Sequence, residues 1–134
     1  MIFCLDTSII IDLFRGNTKI KKRLDELKKR GITFCTACIC MCELFKGAHK
    51  SADTEKAVNL VMDFYKNIRV LNFDLASSNL FGLNFSLLEK KGRKIPEADI
   101  MIASLAASNN CVLITKDKNH FNKLPGLNIE VWPD

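Results

Sequence analysis

The chain has 134 residues, 48% of them apolar and 26% charged, and a formal net charge of +5. That length and balance suit one globular domain, able to remove about two-thirds of its unfolded surface from water, rather than a disordered chain. No apolar run reaches the roughly 20 residues of a membrane span, and the N-terminus lacks the basic flank and cleavage site of a signal peptide, so the expected setting is soluble and cytoplasmic, with no membrane partner.

An apolar run of strand length, Ile2 to Leu5, stops at Asp6-Thr7-Ser8. A helical run follows, with Ser8 expected as its cap and Arg15-Gly16-Asn17 as its end after Phe14. Thr18 is expected to cap a second helix, Lys19 to Arg30, whose thin stripe of Ile20, Leu24 and Leu27 makes it peripheral. Its basic face then lies in water: Lys19, Lys21, Lys22, Arg23, Lys28, Lys29 and Arg30. Ile32 to Cys35 reads as the second strand. Beyond it, Cys38, Cys40 and Cys42 alternate like a strand, while Ile39, Cys42, Glu43 and Lys46 repeat like a helix. A helix from about Ala37 to Lys46, ended by Gly47, is the expectation. Glu43 then sits within an otherwise apolar helix, an unfavourable place for a lone charge.

Glu55 to Asn67 predicts a helix with Val58, Val61, Met62 and Tyr65 inward. Arg69 to Phe73 is a short strand, and Asp74 caps a long helix, Leu75 to about Lys91, with Leu80, Leu83, Leu87 and Leu88 on its apolar side. Gly92-Arg93-Lys94-Ile95-Pro96 is a loop and, with Lys90 and Lys91, a second basic cluster. Glu97 to Ser108 carries acids in its first turn and an almost wholly apolar body, so this helix is expected to be buried nearly all round. Cys111 to Thr115 is an apolar strand, and Leu127 to Trp132 is a final edge strand ended by Pro133. Strands separated by helices pair in parallel. The expected fold class is therefore α/β: one three-layer α/β/α domain over residues 1–134, around a mostly parallel sheet of four or five strands.

The six cysteines lie in apolar segments of a chain read as non-secreted, which predicts reduced, buried thiols. Cys35 and Cys38 form a C-x-x-C, but no second cysteine or histidine pair lies at ligand spacing. Core packing is the favoured reading of Cys35 to Cys42. The two basic runs suit either a solvated face or a polyanion, because clustered Lys and Arg bind phosphates by releasing counterions.

Four acids share an unusual setting: Asp6 after the first strand, Glu43 inside an apolar helix, Asp99 in the first turn of a buried helix, and Asp117 after the fourth strand. Parallel strands bring the ends carrying Asp6 and Asp117 to one edge of the sheet, where open α/β sheets bind ligands. Helices starting at that edge bring Asp99 and Glu43 to the same side. Such carboxylates repel unless a cation joins them, and all-oxygen ligands select Mg²⁺ or Mn²⁺ over zinc. One or two such ions supply a nucleophilic water and stabilise a leaving 3′ oxygen in phosphodiester cleavage. Thr7, Ser8 and Thr115 are candidate hydroxyls for orienting the carboxylates. Asp12 is read as structural, and His120 as a packing or substrate-edge residue.

The segments Leu5 to Asp12, Cys42 to Ala48, Ala98 to Ala106 and Leu113 to Asp117 resemble the four acidic motifs of PIN-domain ribonucleases. The chain's size and its Leu-Pro-Gly-Leu-Asn-Ile-Glu-Val-Trp tail are most similar to the VapC toxins of VapBC toxin–antitoxin pairs. That resemblance implies a Mg²⁺- or Mn²⁺-dependent endoribonuclease with one or two ions per active site, usually a homodimer, silenced by a VapB antitoxin whose segment enters the acidic cleft. It places Asp6, Glu43 and Asp99 as core metal ligands and Asp117 as the more variable fourth acid. Ala37 and Cys40 stand where members often carry Ser and Thr, and His120 stands near a position that often holds an acid or Asn. The rival readings are a receiver-like phosphoacceptor domain, with Lys116 as its lysine, and a non-catalytic RNA- or partner-binding module.

Overall fold

The computed structural model describes residues 1–121 and 124–132, apart from the side chains of Lys118 and His120. The roles expected of Pro133 and His120 lie outside the described residues. In chain order the elements are β1 (Ile2–Leu5), α1 (Thr7–Phe14), α2 (Thr18–Lys29), β2 (Thr33–Ala37), α3 (Cys38–His49), α4 (Thr54–Tyr65), β3 (Arg69–Leu71), α5 (Leu75–Lys90), α6 (Glu97–Ser108), β4 (Val112–Thr115), α7 (Lys118–Phe121) and β5 (Asn128–Val131).

The strands form one sheet in the order β3-β2-β1-β4-β5. Every pairing is parallel, with Leu5 opposite Thr36 on one side and Ile114 on the other. β1 is therefore central, and the chain leaves it in one direction through β2 and β3 before returning to its other side as β4. The gap between the C-terminal ends of β1 and β4 is the switch point at which such sheets bind ligands. Alternating side chains fill two cores. Cys4, Cys35 and Leu113 face Leu88, Ile102 and Leu105 of α5 and α6, while Phe3, Leu5 and Ile114 face Ile9, Ile20 and Leu44 of α1 to α3. α6 has Ile100 and Ile102 to Ala106 buried, as its composition predicts.

Local chemistry corrects several expectations. Asp6, not Ser8, is the N-cap of α1, and it makes no side-chain cap bond. Asn17, not Thr18, caps α2, its Oδ1 accepting the Ile20 N–H at 3.1 Å. α3 runs through Gly47 to His49, because Ala48 packs into the core and offsets the glycine's poor helix propensity. On α4, Met62 and Tyr65 are exposed, while Val61 is buried beside Ala57, Val58 and Phe64. On α5, Leu83 is exposed and its neighbour Asn84 is buried, where its Nδ2 donates to Ser104 Oγ at 3.0 Å. A polar contact between α5 and α6 fixes the rotation of α5 there. The Asp74 cap is as expected, with Asp74 Oδ1 accepting the Ser77 N–H at 2.8 Å.

All six cysteines are free thiols. Cys4, Cys35 and Cys111 lie together in the core, with Cys35 Sγ and Cys111 Sγ 3.8 Å apart. Burial pushes the Cys111 thiol up to about 12 and the Cys40 thiol likewise to about 12. Both therefore stay protonated and unreactive at neutral pH. Cys42 is exposed and Cys38 partly so. Under native conditions near pH 8, Ellman's reagent is expected to modify Cys42 rapidly and Cys38 more slowly, with Cys4, Cys35, Cys40 and Cys111 reacting only on unfolding. Rapid modification of all six in the folded chain would show that the core is not closed.

Candidate active site

Asp6 continues the alternation of β1 one residue past its end, so its side chain emerges on the face that also carries Cys4, Leu113 and Thr115. It is buried, 6% exposed. A carboxylate there must be met by donors. Thr115 Oγ1 donates to Asp6 Oδ2 at 2.6 Å, and Ser8 Oγ donates to the same oxygen at 3.0 Å. Each hydroxyl also accepts a backbone N–H, Asp117 N at 3.0 Å for Thr115 and Lys116 N at 3.2 Å for Ser8. The proton of each hydroxyl is thus turned toward Asp6, an arrangement that suits a carboxylate, which only accepts. The Asp6 N–H donates to Ile114 O at 2.9 Å, tying the strand ends together.

Glu43 lies on α3, partly buried, and Thr7 Oγ1 donates to its Oε1 at 2.7 Å. Thr7 follows Asp6 directly, so α1 begins by setting two carboxylates, Asp6 through its backbone and Glu43 through the Thr7 hydroxyl. Around them, Thr36 Oγ1 donates to Leu5 O at 2.8 Å, and Cys40 Sγ approaches the same carbonyl at 3.8 Å. Cys40 thus occupies a hydroxyl's place with a weaker donor.

Asp99 lies in the first turn of α6, whose backbone opens with Asp99 N donating to Pro96 O at 3.0 Å. α6 leads back into β4, so its N-terminal end faces the edge at which β1 and β4 finish. Asp117 follows β4, with its Oδ1 accepting the Asn119 N–H at 3.0 Å. The four acids therefore sit at one edge of the sheet. Among the described residues, no three acidic, histidine or cysteine side chains are arranged to hold a metal ion as they stand.

Two features of the arrangement fit a hard cation. The donor set is all oxygen. In addition, both donors to Asp6 converge on Oδ2 and the Thr7 hydroxyl engages only Oε1 of Glu43, so one oxygen of each carboxylate is held by protein while Oδ1 and Oε2 have no protein donor among the described residues. Held on one oxygen and open on the other is how a carboxylate is prepared for a metal.

An ion pair that the sequence does not disclose joins the same elements. Lys116 Nζ meets Asp12 Oδ2 at 2.5 Å, the side chains being 24% and 13% exposed. Asp12 thus holds α1 against the turn that carries Asp117. The signal was the charge of Asp12 on a helix otherwise rich in isoleucine, but its partner is 104 residues away.

Residues 3–127 match the family model described as the PIN domain. The chain is 30% identical over 131 residues to the tRNA(fMet)-specific endonuclease VapC of Salmonella typhimurium, covering 97% of each. It is 32% identical over 133 residues to ribonuclease VapC1 of Haemophilus influenzae, covering 98% of each. Among solved structures, VapBC2 of Rickettsia felis bound to a promoter DNA fragment is similar with a TM-score of 0.92 at 28% identity, over 98% of this chain and 99% of that one. DNA-bound VapBC of Salmonella typhimurium gives 0.89 at 30% identity, over 98% of both chains.

Removing the Thr115 hydroxyl tests the support of Asp6. Thr115→Val is expected to lower the unfolding free energy by roughly 1–3 kcal/mol, the cost of leaving a buried charged acceptor short of a donor. Measured by urea denaturation, the loss should shrink when Asp6→Asn is already present; equal losses in both backgrounds would mean that the hydroxyl does not act through Asp6.

Proposed function

The chain belongs to the PIN-domain family, in its VapC group, and from that membership we propose that its acidic edge is a metal-dependent endoribonuclease site with Asp6, Glu43, Asp99 and Asp117 as the ligands. The chain is an endoribonuclease that hydrolyses RNA phosphodiester bonds as the toxin of a type II toxin–antitoxin pair, and its partner is a VapB-like antitoxin. The site held by Thr7, Ser8 and Thr115 is the observation that carries the residue assignment: two carboxylates from different elements are each anchored on one oxygen and open on the other.

The ion proposed is Mg²⁺ or Mn²⁺, one or two per site, since an all-oxygen donor set favours hard ions. When bound, it supplies a water made acidic enough to attack phosphorus and a charge that stabilises the leaving 3′ oxygen. The chain's own residues do the rest. Asp6 and Glu43 hold ligand oxygens in fixed directions because Ser8, Thr115 and Thr7 restrain their carboxylates. Asp117 is carried by the turn that the Thr115 hydroxyl and the Asp12–Lys116 pair fix against α1. Asp99 enters from α6, whose buried body prevents it from rotating away.

Carboxylates alone repel RNA, so the positive runs supply the attraction. Lys19, Lys21, Lys22, Lys28 and Lys29 of α2 and Arg30 just after it are exposed, as are Lys90, Lys91 and Lys94 before α6. Homodimerisation and a cytoplasmic location complete the proposed reading. No helix among the described residues is long and apolar enough to cross a membrane.

Purified chain, freed of antitoxin, is expected to cleave RNA in Mg²⁺ or Mn²⁺ and to stop in chelator. Labelled tRNAs are the first substrates to try, initiator tRNA among them, because the Salmonella relative is named for it. Asp6→Asn should abolish cleavage, and Thr7→Val should lower it by roughly 10- to 100-fold while leaving the fold intact. Cleavage that survives chelation, or that Asp6→Asn leaves unchanged, would overturn the metal assignment.

A further inference from the structure

We propose that the cleft between the C-terminal end of α5 and the start of α6 is a nucleobase subsite, holding one unstacked base of the RNA strand beside the carboxylates; it rests on the ribonuclease reading. The cleft has a volume of about 340 Å³, and Phe85, Glu89, Arg93, Lys94, Ile95 and Ile100 are among the residues that line it. That volume falls within the usual range for sites that enclose a small organic group. Its chemistry combines an aromatic surface, two cations and an acceptor, the set with which proteins take up single-stranded RNA: stacking on a ring, attraction of the backbone, and hydrogen bonds to a base edge.

Phe85 is 37% exposed. Its ring is backed by Phe81, with centroids 6.0 Å apart and planes at 41°, so its orientation is supported from within the helix. The lining after α5 is built rather than loose. Gly92 turns the chain at φ +68°, the Gly92 N–H donates to Glu89 O at 3.0 Å, and the Arg93 N–H donates to Leu88 O at 3.0 Å, which together close α5 with a Schellman turn. Arg93 is thereby fixed above Leu88, another wall of the cleft. Neither Arg93 nor Lys94 has an ion-pair partner among the described residues.

Position decides the occupant. Ile100, in the wall, directly follows Asp99, and both N–H groups of this first turn donate to Pro96 O. Because Ile100 neighbours Asp99 in the first turn of α6, a base seated in the cleft lies against the element that carries one of the proposed ligands. Glu89 accepts from amino groups of a base, as Glu does from cytosine N4. A duplex keeps its bases stacked and cannot fill such a cleft. The subsite thus selects an unpaired nucleotide over a paired one.

Equilibrium binding of a fluorescein-labelled single-stranded RNA dodecamer, followed by anisotropy on the full chain in chelator, tests the proposal. The same strand annealed to its complement serves as the duplex control. Phe85→Ala should weaken single-strand binding about tenfold, the worth of about one stacked base, with duplex binding unchanged. Phe85→Tyr should restore it, and Arg93→Gln should reduce the salt dependence by about one phosphate contact. If the parent chain binds the strand and Phe85→Ala binds it equally well, the subsite is wrong and the ribonuclease reading stands. An equal loss on duplex, or a change in mass on size exclusion showing that Phe85 is covered by a second copy, also overturns the subsite. If the parent chain binds neither RNA, the subsite is overturned, whereas the ribonuclease reading stands or falls with cleavage in Mg²⁺ or Mn²⁺.

Discussion

A buried carboxylate at the end of the central strand is the constraint on which the rest of this structure depends. Asp6 is nearly excluded from water, so its charge must be met by protein donors. Those donors come from both sides of the β1–β4 gap: Ser8 opens α1, and Thr115 closes β4. Satisfying Asp6 therefore locks the sheet's switch point, and the same hydroxyl of Thr115 orders the turn that carries Asp117. The group that creates the electrostatic problem also specifies the local geometry. A carboxylate held on Oδ2 keeps Oδ1 for a ligand.

Much of this architecture could be read from the chain, because the strongest signals were compositional. The apolar body of α6 required burial, and the strand-ending acids Asp6 and Asp117 marked one sheet edge. Parallel order followed from the alternation of strands and helices. What stayed hidden depends on contacts distant in sequence. Thr7 reaches Glu43 across 36 positions, and Thr115 reaches Asp6 across 109. The sequence marks Thr115 as a candidate orienting hydroxyl but not the Asp6 carboxylate and Asp117 N–H that it meets. Periodicity also mistook which apolar residues turn inward. Met62, Tyr65 and Leu83 satisfy a helical stripe but are exposed, with no element among the described residues covering them, whereas Asn84 is drawn inside by Ser104.

The thiols and the charges show how composition acquires meaning only with position. Cys40 lies beside the Leu5 carbonyl and close to Thr7, so this thiol packs against the strand end that carries Asp6. In α2, Arg23 is drawn off the basic face: it pairs with Glu130 at 2.8 Å and lies 4.3 Å from the Trp132 ring, clasping the edge strand β5. Apart from Lys21, which pairs with Asp25 at 3.6 Å, the remaining α2 lysines are left to solvent and polyanions. A site made of carboxylates and a periphery made of lysines is the charge arrangement expected of a protein that must hold a cation and attract a polyanion without letting either displace the other.

Asp6 and its neighbours on the acidic edge are proposed to bind a divalent cation directly. The most direct test is the anomalous scattering of crystals of the chain grown with Mn²⁺. A peak is expected at the C-terminal ends of β1 and β4, beside the Asp6 carboxylate, with its loss in Asp6→Asn crystals. A fully occupied peak elsewhere, or none at this edge at saturating Mn²⁺, would contradict it.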